Sequence, residues 1–259
     1  MIKLEHVSRC YGDFYAVKDL NFEAVEGEIF GFLGVNGAGK TTTLRMITGV
    51  LQPSSGTITL GGYNMATEPE KAKSITGYIP DRPYLYPKLT AREFLDFVAD
   101  LYRVPVKEVP ERIEELLSAY GLIEWQHELI ESFSHGMKQR LATAAALIHK
   151  PKILVIDEPM VGLDPHGAQL LKQSIRDYAK LGMTILLSTH SLNVAEEISD
   201  RIAIIDHGKI LTIGTMEQLR ERVGGYQGSL EQIFLQLTAT TVNTERERKD
   251  SPTEVGLDG

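Results

Sequence analysis

Residues 29–50 read IFGFLGVNGAGKTTTLRMITGV: a short apolar run, a glycine-rich turn, then a segment whose Leu44, Ile47 and Val50 keep helical spacing up to Pro53. Strand, glycine loop and helix follow one another without a break. In the loop, Gly34, Gly39, Lys40 and Thr41 fit the pattern G-x-x-x-x-G-K-[ST], and both flanking elements are the ones that pattern requires. Glycines let backbone N–H groups come close to phosphate oxygens, and the helix N-terminus adds its positive end. Lys40 then bridges β- and γ-phosphates, and the Thr41 hydroxyl is suited to Mg²⁺. The nucleotide-binding candidates are therefore Gly34, Asn36, Gly37, Ala38, Gly39, Lys40, Thr41 and Thr42.

Upstream, KLEHVSRCYG and AVKDLNFEAVEGE alternate as successive antiparallel strands do. Downstream, GTITLGGYNM (56–65) reads as a hairpin, and from about residue 87 to 150 the texture turns helical through LTAREFLDFVADLY, PERIEELLSAYGL and SHGMKQRLATAAALIHK. After Pro151 come KILVIDEP, MTILLSTH and RIAIIDHGKIL. Helical segments at 166–181 and 191–199 separate these three β-rich runs, the alternation of a parallel sheet with crossover helices. The expected fold class is α/β, with a parallel sheet, an N-terminal antiparallel β subdomain and an inserted helical subdomain over about 87–150. SLEQIFLQL adds one more helix, with a capping box of Ser229 and Gln232 and an apolar face of Leu230, Ile233, Phe234 and Leu237. Residues 1–239 form the folded unit. Residues 240–259 have almost no apolar side chains to repay ordering and read as a mobile polar tail.

The 259 residues are ordinary in composition, 42% hydrophobic and 24% charged, which excludes collagen, coiled coil and wholesale disorder. Lys and Arg number 27 against 35 Asp and Glu, a net charge of -8, so no long basic groove for nucleic acid is expected. A single cysteine, Cys10, forbids an internal disulfide and points to a reducing compartment, the cytoplasm. No apolar run approaches the ~18 residues of a membrane span, and IKLEHVSRCYG after Met1 has no apolar signal region. A role at a membrane is expected to run through a partner.

KILVIDEP puts Asp157 at the carboxyl end of a buried strand, where α/β folds gather ligands, with Glu158 directly after it. Asp157 suits Mg²⁺, and Glu158 suits polarising a water for attack on a γ-phosphate. The two motifs alone also fit a P-loop phosphotransferase, which hands the phosphoryl group to a bound substrate. SHGMKQR at 134–140, GLD at 162–164 and STH ending at His190 separate the readings. Together with the earlier motifs, and in the same order, they resemble the nucleotide-binding domain of ATP-binding cassette (ABC) transporters over about residues 2–238.

The resemblance implies an ATPase using ATP and Mg²⁺, with Tyr11 stacked on adenine and His190 at the γ-phosphate and the attacking water. It implies that Asp164 crosses to a partner subunit. It makes Ser134, His135, Gly136 and Met137 the signature segment, which faces the γ-phosphate held by a second subunit. Ser134 stands as an N-cap before an amphipathic run of Leu141, Ala145 and Ile148, which aims a helix N-terminus at that phosphate. A homodimer or heterodimer with a second ATP-binding subunit follows, docked on membrane-spanning permease subunits at the cytoplasmic face.

The chain departs from the family pattern in two places. FSHGM stands where LSGGQ is usual, and GYIPDRP puts Asp81 where the family carries glutamine. A carboxylate at 81 still ligates Mg²⁺ through oxygen but adds negative charge beside a triphosphate, and Arg82 is expected to balance it. The length, the FSHGMKQR signature and the SLEQIFLQL ending resemble the exporter-like ABC-2 group. The rival within the family, a soluble ABC ATPase acting on nucleic acid or ribosomes, commonly joins two cassettes or carries long insertions.

Overall fold

The computed structural model describes residues 1–160, 165–222 and 229–237, with Pro165 and His166 as backbone only. Strands β3 (Ile29–Leu33), β7 (Ile153–Asp157) and β8 (Thr184–Thr189) lie side by side inside a six-stranded sheet, in the order β3, β8, β7. Every residue in them is buried, the pattern of strands covered on both faces. The sheet continues outward through β6 (Thr76–Ile79) beyond β7, and through β9 (Arg201–Asp206) and β10 (Lys209–Gly214) beyond β3. All neighbours are parallel except β9 and β10.

That exception corrects the sequence reading, which takes RIAIIDHGKIL as one run. His207 and Gly208 both have positive φ, 45 and 74, and two consecutive left-handed residues close a tight hairpin, so the run folds back on itself and the edge is antiparallel.

A second sheet holds β1 (Ile2–Tyr11), β2 (Phe14–Ala24), β4 (Ser55–Leu60) and β5 (Tyr63–Asn64) in the order β2, β1, β4, β5, all antiparallel. It packs on the first through Leu4, Leu20, Phe22, Phe30 and Phe32, with Phe22 stacked on Phe30 at 5.1 Å. Helix α1 (Lys40–Ile47) buries Leu44, Met46 and Ile47 in the same core. It stops at Ile47, short of the expected Pro53. Between β5 and β6 lies α2 (Pro69–Ser74).

On the far side pack α3 (Ala91–Leu101), α4 (Val109–Ala119) and α5 (His135–Leu147). A capping box of Thr90 and Glu93 opens α3, and such an N-cap contributes about 1 kcal/mol. Helix α5 is not the amphipathic run expected: Leu141 to Leu147 are all buried, because this alanine-rich helix is wedged between α3, α4 and β6. The crossover helices are α6 (Pro165–Lys180) and α7 (Leu192–Ile198), followed by α8 (Met216–Arg222).

Residues 230–237 are helical, and the Ser229 N–H donates to Gln232 Oε1 at 3.2 Å. Leu230 and Ile233 are buried against Leu33, Ile202 and Leu219. The expected tail at 240–259 lies outside the described residues. No helix among the described residues is long and apolar enough to cross a membrane.

Candidate functional site

The adjacency of β3, β8 and β7 brings three separate motifs to one edge of the sheet. Gly34 follows β3, Glu158 follows β7 and His190 follows β8. Registers pair Leu33 with Thr189 and Asp157 with Ser188, so the ends of β3 and β7 each sit about one strand spacing from the end of β8. In front of them lies a cleft of about 520 Å³ lined by Tyr11, Phe14, Ala16, Asn36, Gly37, Gly39, Lys40, Thr41, Thr42, Asp81, Asp157 and Glu158.

The loop from Gly34 to Gly39 cannot carry ordinary side chains at its ends. A Cβ on Gly34 would sit 2.5 Å from the Ile205 carbonyl oxygen, and Gly39, with φ 105, caps α1 in a left-handed conformation. Lys40 is only 6% exposed; its Nζ donates to the carbonyls of Gly34 at 2.8 Å and Val35 at 3.2 Å. Its ammonium is 3.8 Å from Glu158 Oε1. Burial lowers the Lys40 pKa, against the opposing pull of Glu158 and Asp157.

Glu158 has φ 50, a left-handed backbone that glutamate seldom adopts. Its N–H donates to the Ser188 carbonyl at 2.9 Å, the Thr189 hydroxyl donates to its Oε2 at 3.2 Å, and His190 Nδ1 lies 2.8 Å from its Oε1. Neighbouring strand β8 thus fixes both the backbone and the carboxylate. Observed strain of this kind, held by surrounding bonds, is a mark of a functional position.

Asp157 is 2% exposed, and its Oδ1 has no hydrogen-bond partner. Burial raises its pKa; the Ser188 and Thr41 hydroxyls oppose that, while Glu158 and Asp81 add to it. An orphaned carboxylate oxygen beside a threonine hydroxyl, with a second carboxylate nearby, is a donor set that fits a hard divalent cation. Arg82 is exposed, and among the described residues no ion pair joins it to Asp81.

Tyr11 ends β1, half exposed, and the Arg9 guanidinium covers one face of its ring at 4.6 Å. Phe14, its partner across the β1–β2 hairpin, lines the same cleft. Ser134 caps α5, accepting from the Met137 N–H at 3.2 Å. Ser134 and His135 are exposed, Gly136 and Met137 half-buried, and none of the four lines the cleft. Asp164 lies outside the described residues. Sequence reading did not find Phe14, Ala16, Ser188 or Thr189; the last two stand beside His190 in STH and take their place only once β8 pairs with β7.

A family model described as ABC transporter matches residues 17–161. The linearmycin resistance ATP-binding protein LnrL of Bacillus subtilis (strain 168) is 40% identical over 243 residues, 94% of this chain and 76% of its own length. The chain belongs to the ABC transporter family. It is an ATP-binding, ATP-hydrolysing subunit with the α/β fold of the ABC cassette. A solved ATP-binding subunit of an ABC transporter superposes with a TM-score of 0.87 at 33% identity, over 92% of this chain and 99% of that one. A dimeric ATP-binding cassette in a post-hydrolysis state, bound to ADP and Pi, gives 0.75 at 27% identity, over 83% of this chain and 99% of that one. ABC ATP-binding subunits dimerise and act with membrane permeases.

Proposed function

We propose that this ABC ATPase drives export through separate membrane-spanning permease subunits, and that Glu158 polarises the water that attacks ATP. The placement of Glu158 carries the reading: a strained backbone fixed by Ser188, a carboxylate held by Thr189 and His190, and the Lys40 ammonium 3.8 Å away. Asn36 to Thr42 cradle the phosphates, and Tyr11 stacks on adenine through the ring face opposite Arg9. Lys40 leaves the loop carbonyls of Gly34 and Val35 for the β- and γ-phosphates, a better partner for a buried cation. His190 orients Glu158 and meets the γ-phosphate.

Thr41, Asp157 and Asp81 are the residues that would hold Mg²⁺. When bound, the ion neutralises phosphate charge as the terminal bond breaks. Ser134, His135, Gly136 and Met137, away from the cleft of their own chain, present the start of α5 to the γ-phosphate on a second ATP-binding subunit, identical or different. Export is supported by the relative's name, which records resistance to linearmycin, since clearing a compound from the cell confers resistance to it. The subunit works at the cytoplasmic face of the membrane and takes no nucleic acid, in keeping with a net charge of -8.

Lys40→Ala tests the reading. The variant should fold yet lose ATP binding and turnover, and undiminished turnover would remove the assigned site.

A further inference from the structure

Behind the phosphate loop lies the hairpin turn between β9 and β10, a segment that no motif covers. The Gly208 N–H donates to the Ala38 carbonyl at 2.9 Å, and the Lys18 N–H donates to the Gly208 carbonyl at 2.8 Å. One peptide segment therefore bonds on one side to the loop that meets phosphate and on the other to β2, the strand of the hairpin that carries Tyr11 and Phe14. The fit is close. A Cβ on Gly208 would lie 2.7 Å from the Ala16 carbonyl oxygen, and a Cβ on Gly39 would lie 2.7 Å from that same oxygen. The Ala16 carbonyl is wedged between two glycines, and Gly208 has φ 74, so an added side chain meets both strain and backbone.

We propose that Gly208 is a positioning residue that sets the spacing between the base subsite on the β1–β2 hairpin and the phosphate subsite on the Gly34–Thr42 loop. It touches neither base nor phosphate. Its two hydrogen bonds and its missing side chain hold the Ala16 segment against Gly39, and a nucleotide must engage both subsites at once. The proposal rests on Tyr11 holding the base. An alanine at 208 drives the Ala16 segment away from the loop, so a ligand with both base and phosphates loses more than one with phosphates alone.

The test uses the full chain and two ligands that are not turned over, MgADP and magnesium pyrophosphate, titrated by calorimetry. In the parent chain ADP binds the tighter. Gly208→Ala should shrink that preference about tenfold, the size of a lost base-on-aromatic stack. His207→Ala, in the same turn and also at positive φ, should leave it unchanged. Equal weakening of both ligands, or no change, would overturn the proposal. A parent chain with no preference for ADP would instead remove the base subsite at Tyr11, and the brace with it. Where Gly208→Ala fails to fold, amide exchange of the parent chain decides. Pyrophosphate alone should slow exchange at Lys18 and Gly208 as well as in the loop, and slowing confined to the loop would refute the brace.

Discussion

Asp157→Asn should stabilise the ligand-free protein while disabling it. Asp157 is 2% exposed, one carboxylate oxygen has no partner, and burial raises its pKa, so its charged form is unfavourable in the folded state. A buried acceptor left unsatisfied costs roughly 1–3 kcal/mol, and a charged one more. Part of that is recovered from the neighbouring Lys40. Asparagine keeps the shape and removes the charge. A net gain of about 1–2 kcal/mol corresponds, for a chain of this size, to a melting temperature higher by about 3–6 °C. Thermal melting without ligand, with ATP, and with ATP plus Mg²⁺ reads both halves of the claim. The parent should gain about 2.7 kcal/mol at ligand one hundred times above Kd, and the variant should lose the part that depends on Mg²⁺. A variant that melts lower than the parent without ligand would show that the Asp157 charge is not a burden on the fold, and one that keeps the Mg²⁺-dependent gain would remove Asp157 from the metal site.

Ser134→Arg places bulk over the start of α5, so hydrolysis should vanish while a single chain binds ATP with unchanged affinity in calorimetry; loss of monomer binding would contradict action across an interface. His149 stacks on Tyr102 at 3.7 Å, and burial, aided by Arg112, lowers its pKa to about 4. With the folded pKa below the unfolded one, stability is present above about pH 6.5 and is lost as pH falls through 4. His149→Phe keeps the stack and should flatten that acid loss by about 2 kcal/mol in denaturant titrations, after allowing for solvent screening of a half-buried ring.

What could be read in the sequence was whatever the chain keeps contiguous. Gly34 to Thr42 and Ile153 to Glu158 each lie within one strand and the turn after it, so residue type and spacing carry the chemistry. Ser134 announces its helix as an N-cap. The four residues of β6 and the six of α2 are too short for a period to emerge. The β9–β10 hairpin hides because HG is a weak turn signal between two apolar runs, and only the backbone angles of His207 and Gly208 reveal it. Phe14, Ala16 and Gly208 were not legible because their roles depend on β2, β9 and the loop after β3 meeting in space. The grip of His190 on Glu158 likewise depends on β8 lying beside β7.

Glu158→Gln, followed by size-exclusion chromatography with ATP and Mg²⁺, separates water activation from ATP binding. Glutamine keeps the shape of the side chain but removes the charge that polarises water, so turnover should stop while ATP affinity is spared. If each γ-phosphate is held by Lys40 and His190 of one subunit and by the Ser134 helix of the other, as proposed, unhydrolysed ATP should keep two chains together, and the variant should elute as a dimer with ATP bound. Turnover by Glu158→Gln at the rate of the parent chain would contradict the account, since it would remove Glu158 as the group that activates water.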